Sequence, residues 1–205
     1  MKKTKKKFVK FKLILSLIVV VFSAVLLLSI PVLFNYKSVE NEIEKKFYSE
    51  FKIHLEVLDE TSYQILPKPH FLIKKGKLKI NNNRLNSAVV EFDNLKIFVP
   101  LKYIYSKSSL EMEKLEINNS NFKIKFGDIE DIRNHLYYKI NKPIIIKNSN
   151  FFYLEKNNET ILISPIKYLK YSINYINNSK ELKINGSIFD INFKSLWRRN
   201  YNDPK

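Results

Sequence analysis

Cysteine is absent from this chain of 205 residues. That excludes a disulfide scaffold, a thiolate metal site and a cysteine nucleophile. Glycine occurs only at Gly76, Gly127 and Gly186, too sparse for a loop that cradles phosphate. No P-loop, G-x-G-x-x-G or G-x-S-x-G pattern is present. The three histidines, His54, His70 and His135, are far apart and lack metal-ligand spacing. Each reads as an ordinary surface or edge residue. Arginine is confined to Arg84, Arg133, Arg198 and Arg199, although the formal net charge is +16. Arginine is the residue best suited to bidentate phosphate and guanine contacts. Seven of the lysines (Lys2, Lys3, Lys5, Lys6, Lys7, Lys10, Lys12) precede the first apolar run. The basic strand positions do not interleave with stacking aromatics on one face, so nucleic acid is not an expected partner. The excess of lysine, asparagine and isoleucine is of the kind that AT-rich coding produces. Adjacent carboxylates at Asp59–Glu60 and Glu130–Asp131 read as a turn and a helix cap. Sequons such as Asn118-Asn119-Ser120 are expected by chance in so asparagine-rich a chain. The expectation is a protein without catalytic residues, metal or cofactor, and not an enzyme.

What the chain does have is one long apolar run. Leu13 to Phe34 is 22 residues without a charge, which as a helix rises roughly 33 Å against a hydrocarbon core of about 30 Å. The lysines before it are retained on the cytoplasmic side, which predicts an N-terminus inside and the remainder outside. A cleaved signal peptide calls for an apolar region of about 7–15 residues and a small-residue cleavage site. Here Ser23 and Ala24 lie in mid-segment, followed by Val25, Leu26, Leu27 and Leu28. The reading is therefore a basic stub over 1–12, an uncleaved transmembrane helix over 13–34, a juxtamembrane amphipathic helix over 35–51, and a β-rich domain over 52–205. In the amphipathic helix Ser38 is the expected cap, Glu40 and Glu42 favour the N-terminal end, and Val39, Ile43, Phe47 and Phe51 form one apolar stripe. That stripe covers either the bilayer surface or one end of the following sheet, and the second is the plainer expectation.

From Lys52 the apolar period shortens to two. Leu78 and Ile80 alternate with Lys77 and Lys79, and Leu95, Ile97 and Val99 share a face. Leu115 and Ile117 alternate with Lys114, Glu116 and Asn118, and Phe122, Ile124 and Phe126 with Asn121, Lys123 and Lys125. Leu169, Tyr171, Ile173 and Tyr175 continue the pattern, as do Phe189, Ile191 and Phe193. Each predicts a strand with one apolar and one solvated face, in an antiparallel sheet. Asn81–Asn83, Asp93–Asn94, Asn118–Asn121, Asn157–Asn158 and Asn177–Asn178 read as turns. Pro100 to Ser106 reads as a short turn. Asp128 to Tyr138 reads as a helix capped by Asp128, with Glu130 and Asp131 in its first turn, and Pro143 restarts extended structure.

The order of these motifs resembles the N-terminal region of the AsmA family. The basic stub and apolar helix are followed by Asn35-Tyr36-Lys37 and the amphipathic stretch Val39 to Phe51. Then comes Ile65-Leu66-Pro67-Lys68-Pro69-His70-Phe71, a P-x-P segment opening an apolar strand. Phe92 through Phe126 corresponds to the paired strands around a short leucine-rich turn. The likeness covers about residues 1–126. The chain departs from the family in having no glycine over Ser49 to Lys52, in being several times shorter, and in its ending, Trp197 to Lys205. It is accordingly read as a piece of a longer groove or a short relative.

The resemblance implies a mainly β protein of the bacterial inner membrane: a single transmembrane helix and a periplasmic, curved antiparallel sheet, an open groove or β-taco, with short helices. The family is associated with outer-membrane integrity and with bridge-like movement of phospholipid. Membrane phospholipid is then the expected partner, with envelope proteins as further partners. The candidates for lining the groove are Leu78, Ile80, Ile97, Val99, Leu115, Ile117, Phe122, Ile124 and Phe126. Two alternatives carry the same alternation: a closed β domain acting as an envelope assembly or scaffold protein, and a single-span periplasmic component of lipopolysaccharide export. Periodicity alone does not separate an open trough from a filled core.

Overall fold

The computed structural model describes residues 2–29, 36–82, 85–101, 110–155, 157–176 and 179–200. The chain forms two compact units, Met1–Asn35 and Tyr36–Lys205. The first is helix α1, Lys2–Ser29. All of its described side chains from Lys12 onward are exposed. Among the described residues no helix is long and apolar enough to cross a membrane. The uncharged part of α1, Leu13–Ser29, rises about 26 Å, less than the roughly 30 Å of a hydrocarbon core. The rest of the apolar run, 30–34, lies outside the described residues.

The second unit opens with helix α2, Tyr36–Phe51. It starts two residues before Ser38, so Ser38 lies within the helix and does not cap it. Lys52 ends it in the left-handed region (φ 55°) and donates its N–H to the Tyr48 carbonyl at 2.9 Å. This is the position where helices favour glycine; here a lysine adopts it.

Among the described residues nine strands follow in one curved, open sheet: β1 His54–Val57, β2 Thr61–Gln64, β3 His70–Asn82, β4 Leu85–Phe98, β5 Lys114–Lys125, β6 Ile144–Leu154, β7 Thr160–Ile176, β8 Ser179–Ile188 and β9 Ile191–Asn200. The spatial order is β1-β3-β4-β5-β6-β7-β8-β9, with β2 beside β1 on the same edge of β3. The proline segment Pro67–Pro69 connects β2 to β3. All pairings are antiparallel except β5 with β6, which is parallel. This corrects the expectation of a wholly antiparallel sheet. The cause is the crossover: a 3-10 turn, Phe126–Asp128, and helix α3, Ile129–Lys139, carry the chain back to the start of β6. Asp128 stands at the N-cap of α3, but its side chain makes no capping bond.

Two of the expected turns are the middles of strands. Asp93–Asn94 lies within β4 and Asn118–Asn121 within β5. Lys75, Asn119 and Asn148 take positive φ of 50°, 52° and 48°, and register places them on one level across the sheet. At that level the inward phase slips by one residue in β3 to β7: Phe71 and Ile73 give way to Leu78 and Ile80, Leu115 and Ile117 to Ser120 and Phe122. A left-handed residue lets the strand continue while keeping its apolar side on the same face. Such irregularities bend a strand and raise its twist. Asparagine tolerates the left-handed region better than most residues, so the chemistry that suggests a turn here serves a fold line. The segment Phe189 to Phe193 is also not one strand. Phe189 and Asp190 (φ 51° and 59°) form a two-residue hairpin turn between Ile188 and Ile191. Asn157–Asn158 is a turn as expected, Asn177–Asn178 lies outside the described residues, and so does most of Pro100 to Ser106.

Candidate functional site

The sheet's inner face is the one that carries α2. Val39, Ile43, Phe47 and Phe51 are buried in a single cluster with the inward residues of β1, β3, β4, β5 and β6. The amphipathic stripe therefore covers the sheet, as the periodicity favoured. The Phe47 and Phe51 rings pack at a tilt of 43° with centroids 4.8 Å apart. Helix α3 extends the cover: the His135 imidazole Nε2 bonds the Phe51 carbonyl at 2.8 Å, and the Tyr171 hydroxyl on β7 donates to the Leu136 carbonyl at 2.5 Å. A small polar strip crosses the buried face at the fold line, where the Ser120 N–H donates to Ser149 Oγ and Ser149 Oγ donates to the Lys147 carbonyl.

Seven of the sequence-derived groove candidates belong to this covered region. Leu78, Ile80, Ile97, Val99, Leu115, Ile117 and Phe122 are all buried, and Ile124 is half-buried against the same cluster. Phe126 stands in the 3-10 turn, and its side chain lies outside the described ones. At these positions the apolar face is buried in the cluster that also holds the α2 stripe.

Among the described residues the cover ends beyond β7 while the apolar face continues. Register carries it from Tyr171 to Ile184 on β8, from Ile166 to Ile188, and from Ile188 to Ile191 and Gly186 to Phe193 on β9. Ile184, Ile188 and Phe193 are half-buried, whereas Ile191 is 70% and Trp197 39% exposed. β9 is also the free edge of the sheet. The sequence showed the alternation of Ile191 and Phe193 but not β8, which carries a glycine in mid-strand and alternates only briefly. Gly186 is required there: a Cβ would lie 2.6 Å from the Tyr168 carbonyl oxygen.

The outer face is polar. Its upper part is neutralised by Lys79–Glu56 at 2.6 Å and by Lys77 and Lys123 on Glu91. Near the free edge Arg198 Nε donates to the buried Glu181 at 2.7 Å, and this hydrogen bond holds the Glu181 carboxyl below its ordinary range. A cavity of about 890 Å³ over β7–β9 has a mixed lining that includes Lys167, Tyr168, Asn185, Asp190, Phe193 and Lys194.

Two histidines correct the expectation of surface residues. His70 and His135 are buried, and only His54 is exposed, stacked on Tyr48 at 4.4 Å. No cluster of metal-ligating side chains occurs among the described residues. Asp59 serves a turn, accepting the Glu60 N–H at 2.9 Å, and Glu130 pairs with Arg133 at 2.9 Å. No family model matches the chain, and no curated protein is similar to it in sequence.

Proposed function

We propose that the chain is a non-catalytic, AsmA-type protein that binds or conducts phospholipid on the inner face of its sheet, in support of outer-membrane biogenesis. In this reading the apolar run Leu13 to Phe34 is a single-pass anchor in the bacterial inner membrane. The N-terminus is cytoplasmic and the sheet periplasmic. The exposed apolar side chains around α1 suit a lipid environment, and the lysine stub before it supports the orientation.

The observation that carries the proposal is the uncovered apolar strip on β8 and β9. Acyl chains lying on Ile184, Ile188, Ile191, Phe193 and Trp197 leave water at a gain of roughly 0.8 kcal/mol per buried CH₂. The headgroup stays in water at the free edge. Transfer along such a strip needs no covalent chemistry. The strip has to continue without a deep trap.

The test is lipid co-purification. Full-length protein extracted in mild detergent is expected to carry phospholipid detected by mass spectrometry, and to bind a fluorescent phospholipid saturably. Lipid-free protein with no saturable binding defeats the proposal.

A further inference from the structure

The outer face holds a second feature, unrelated to the apolar strip. Register sets Lys96 of β4 beside Glu116 of β5, Glu116 beside Ile145 of β6, and Ile145 beside Lys170 of β7. Lys114 stands two residues from Glu116 on β5. Lys68, Lys147 and Lys170 all lie within electrostatic reach of Lys114. One carboxylate serves this group, and it is already engaged: Glu116 pairs with Lys147 at 3.1 Å. Among the described residues, Lys68, Lys96, Lys114 and Lys170 form no ion pair, unlike Lys77, Lys79 and Lys123 on the other half of the same face.

The cluster is built rather than scattered. The Lys114 ammonium sits 3.8 Å over the Phe98 ring, and Phe98 stacks on His70 at 5.2 Å. His70 is fully buried, its Nδ1 bonded to the Lys68 carbonyl at 2.7 Å. Its Nε2 is buried without a partner. Beside the cluster, Asn185, the register partner of Lys170, lines the open cavity over β7–β9, which leaves room for a bulky anion.

We propose that the outer face around Lys114 is a binding site for a phosphate group, either free phosphate or the headgroup of an anionic lipid. Burial, followed by the charges of Lys68, Lys147 and Lys170, outweighs Glu116 and holds the Lys114 ammonium below its ordinary pKa. A dianion removes that mutual repulsion. It also offers acceptor oxygens to several ammonium groups at once, in charge-assisted bonds stronger than neutral ones.

The experiment uses the full chain in nanodiscs of phosphatidylcholine, titrated calorimetrically with inorganic phosphate at low salt against chloride of equal ionic strength. Saturable binding is expected, weakened about tenfold or more by Lys114→Gln with Lys170→Gln. Lys123→Gln with Lys125→Gln, removing equal charge from the other half of the face, should change it less than about twofold. Thermal unfolding of each variant confirms that it is folded. A parallel titration in discs containing phosphatidylglycerol separates the sources: weaker apparent phosphate binding identifies the lipid headgroup as occupant, and unchanged binding identifies free phosphate. No saturable binding above chloride, or equal loss in the two double variants, overturns the proposal.

Discussion

Replacing Phe47 by alanine removes a ring that is fully buried between α2 and the sheet. It also deletes one half of the Phe47–Phe51 ring contact. Truncations of this kind in packed interiors cost about 3–5 kcal/mol, the transfer of the lost atoms plus the cavity they leave. In a unit of this size each kcal/mol moves Tm by about 2–4 °C, so the expected drop is about 6–20 °C. Thermal unfolding of the full chain in detergent, followed by far-UV circular dichroism, measures it. Lys45→Ala on the exposed side of the same helix is the control, expected within about 0.5 kcal/mol of the parent. If Phe47→Ala moves Tm no more than Lys45→Ala, α2 does not cover the sheet, and the division into a filled and an open half of the inner face collapses.

Gly76→Ala should destabilise by about 1–3 kcal/mol, because a Cβ there would lie 2.7 Å from the Glu56 carbonyl oxygen and strike the Phe92 ring; a neutral denaturant midpoint would contradict this close approach. At Asn119, φ 52°, glycine should be neutral or slightly stabilising and valine should cost about 1–2 kcal/mol. Equal midpoints for the two variants would remove the fold line from the account. Burial, aided by Lys96 and Lys114, keeps His70 below its ordinary value of 6.5 against the pull of the Lys68 carbonyl and Glu116. The unfolded chain then binds a proton that the fold resists, so this contribution is complete above the ordinary value and is lost as pH falls from it toward the folded pKa. Denaturant midpoints between about pH 7.5 and 5.5 should fall more steeply for the parent than for His70→Asn, and parallel slopes would refute it.

Much of this fold was legible because half-buried strands show their period. Leu78 with Ile80 and Leu115 with Ile117 declare β3 and β5, and Val39, Ile43, Phe47 and Phe51 declare the covering helix. The continuity of β5 was hidden, because a left-handed asparagine in mid-strand uses the same residue type as a turn. The parallel pairing of β5 and β6 was also hidden, since alternation carries no direction. His135 could not be read as buried from its neighbours: its partner is the Phe51 carbonyl, 84 residues away. That most of the groove candidates are buried was hidden for a related reason. Periodicity finds apolar faces but not their covers, so it did not distinguish the buried Leu78 and Ile97 from the more exposed Ile191, and it did not reach Ile184 or Trp197.

The proposed lipid face is tested most directly by placing a photo-reactive residue, in cells, at single positions on the two sides of the sheet. Adducts with phospholipid are expected at Ile184, Ile191, Phe193 and Trp197. They should be absent or rare at the covered Leu95 and Ile97 and at the outward Lys77, Lys123 and Lys125. Adducts no more frequent at the first set than at the outward lysines would contradict the account.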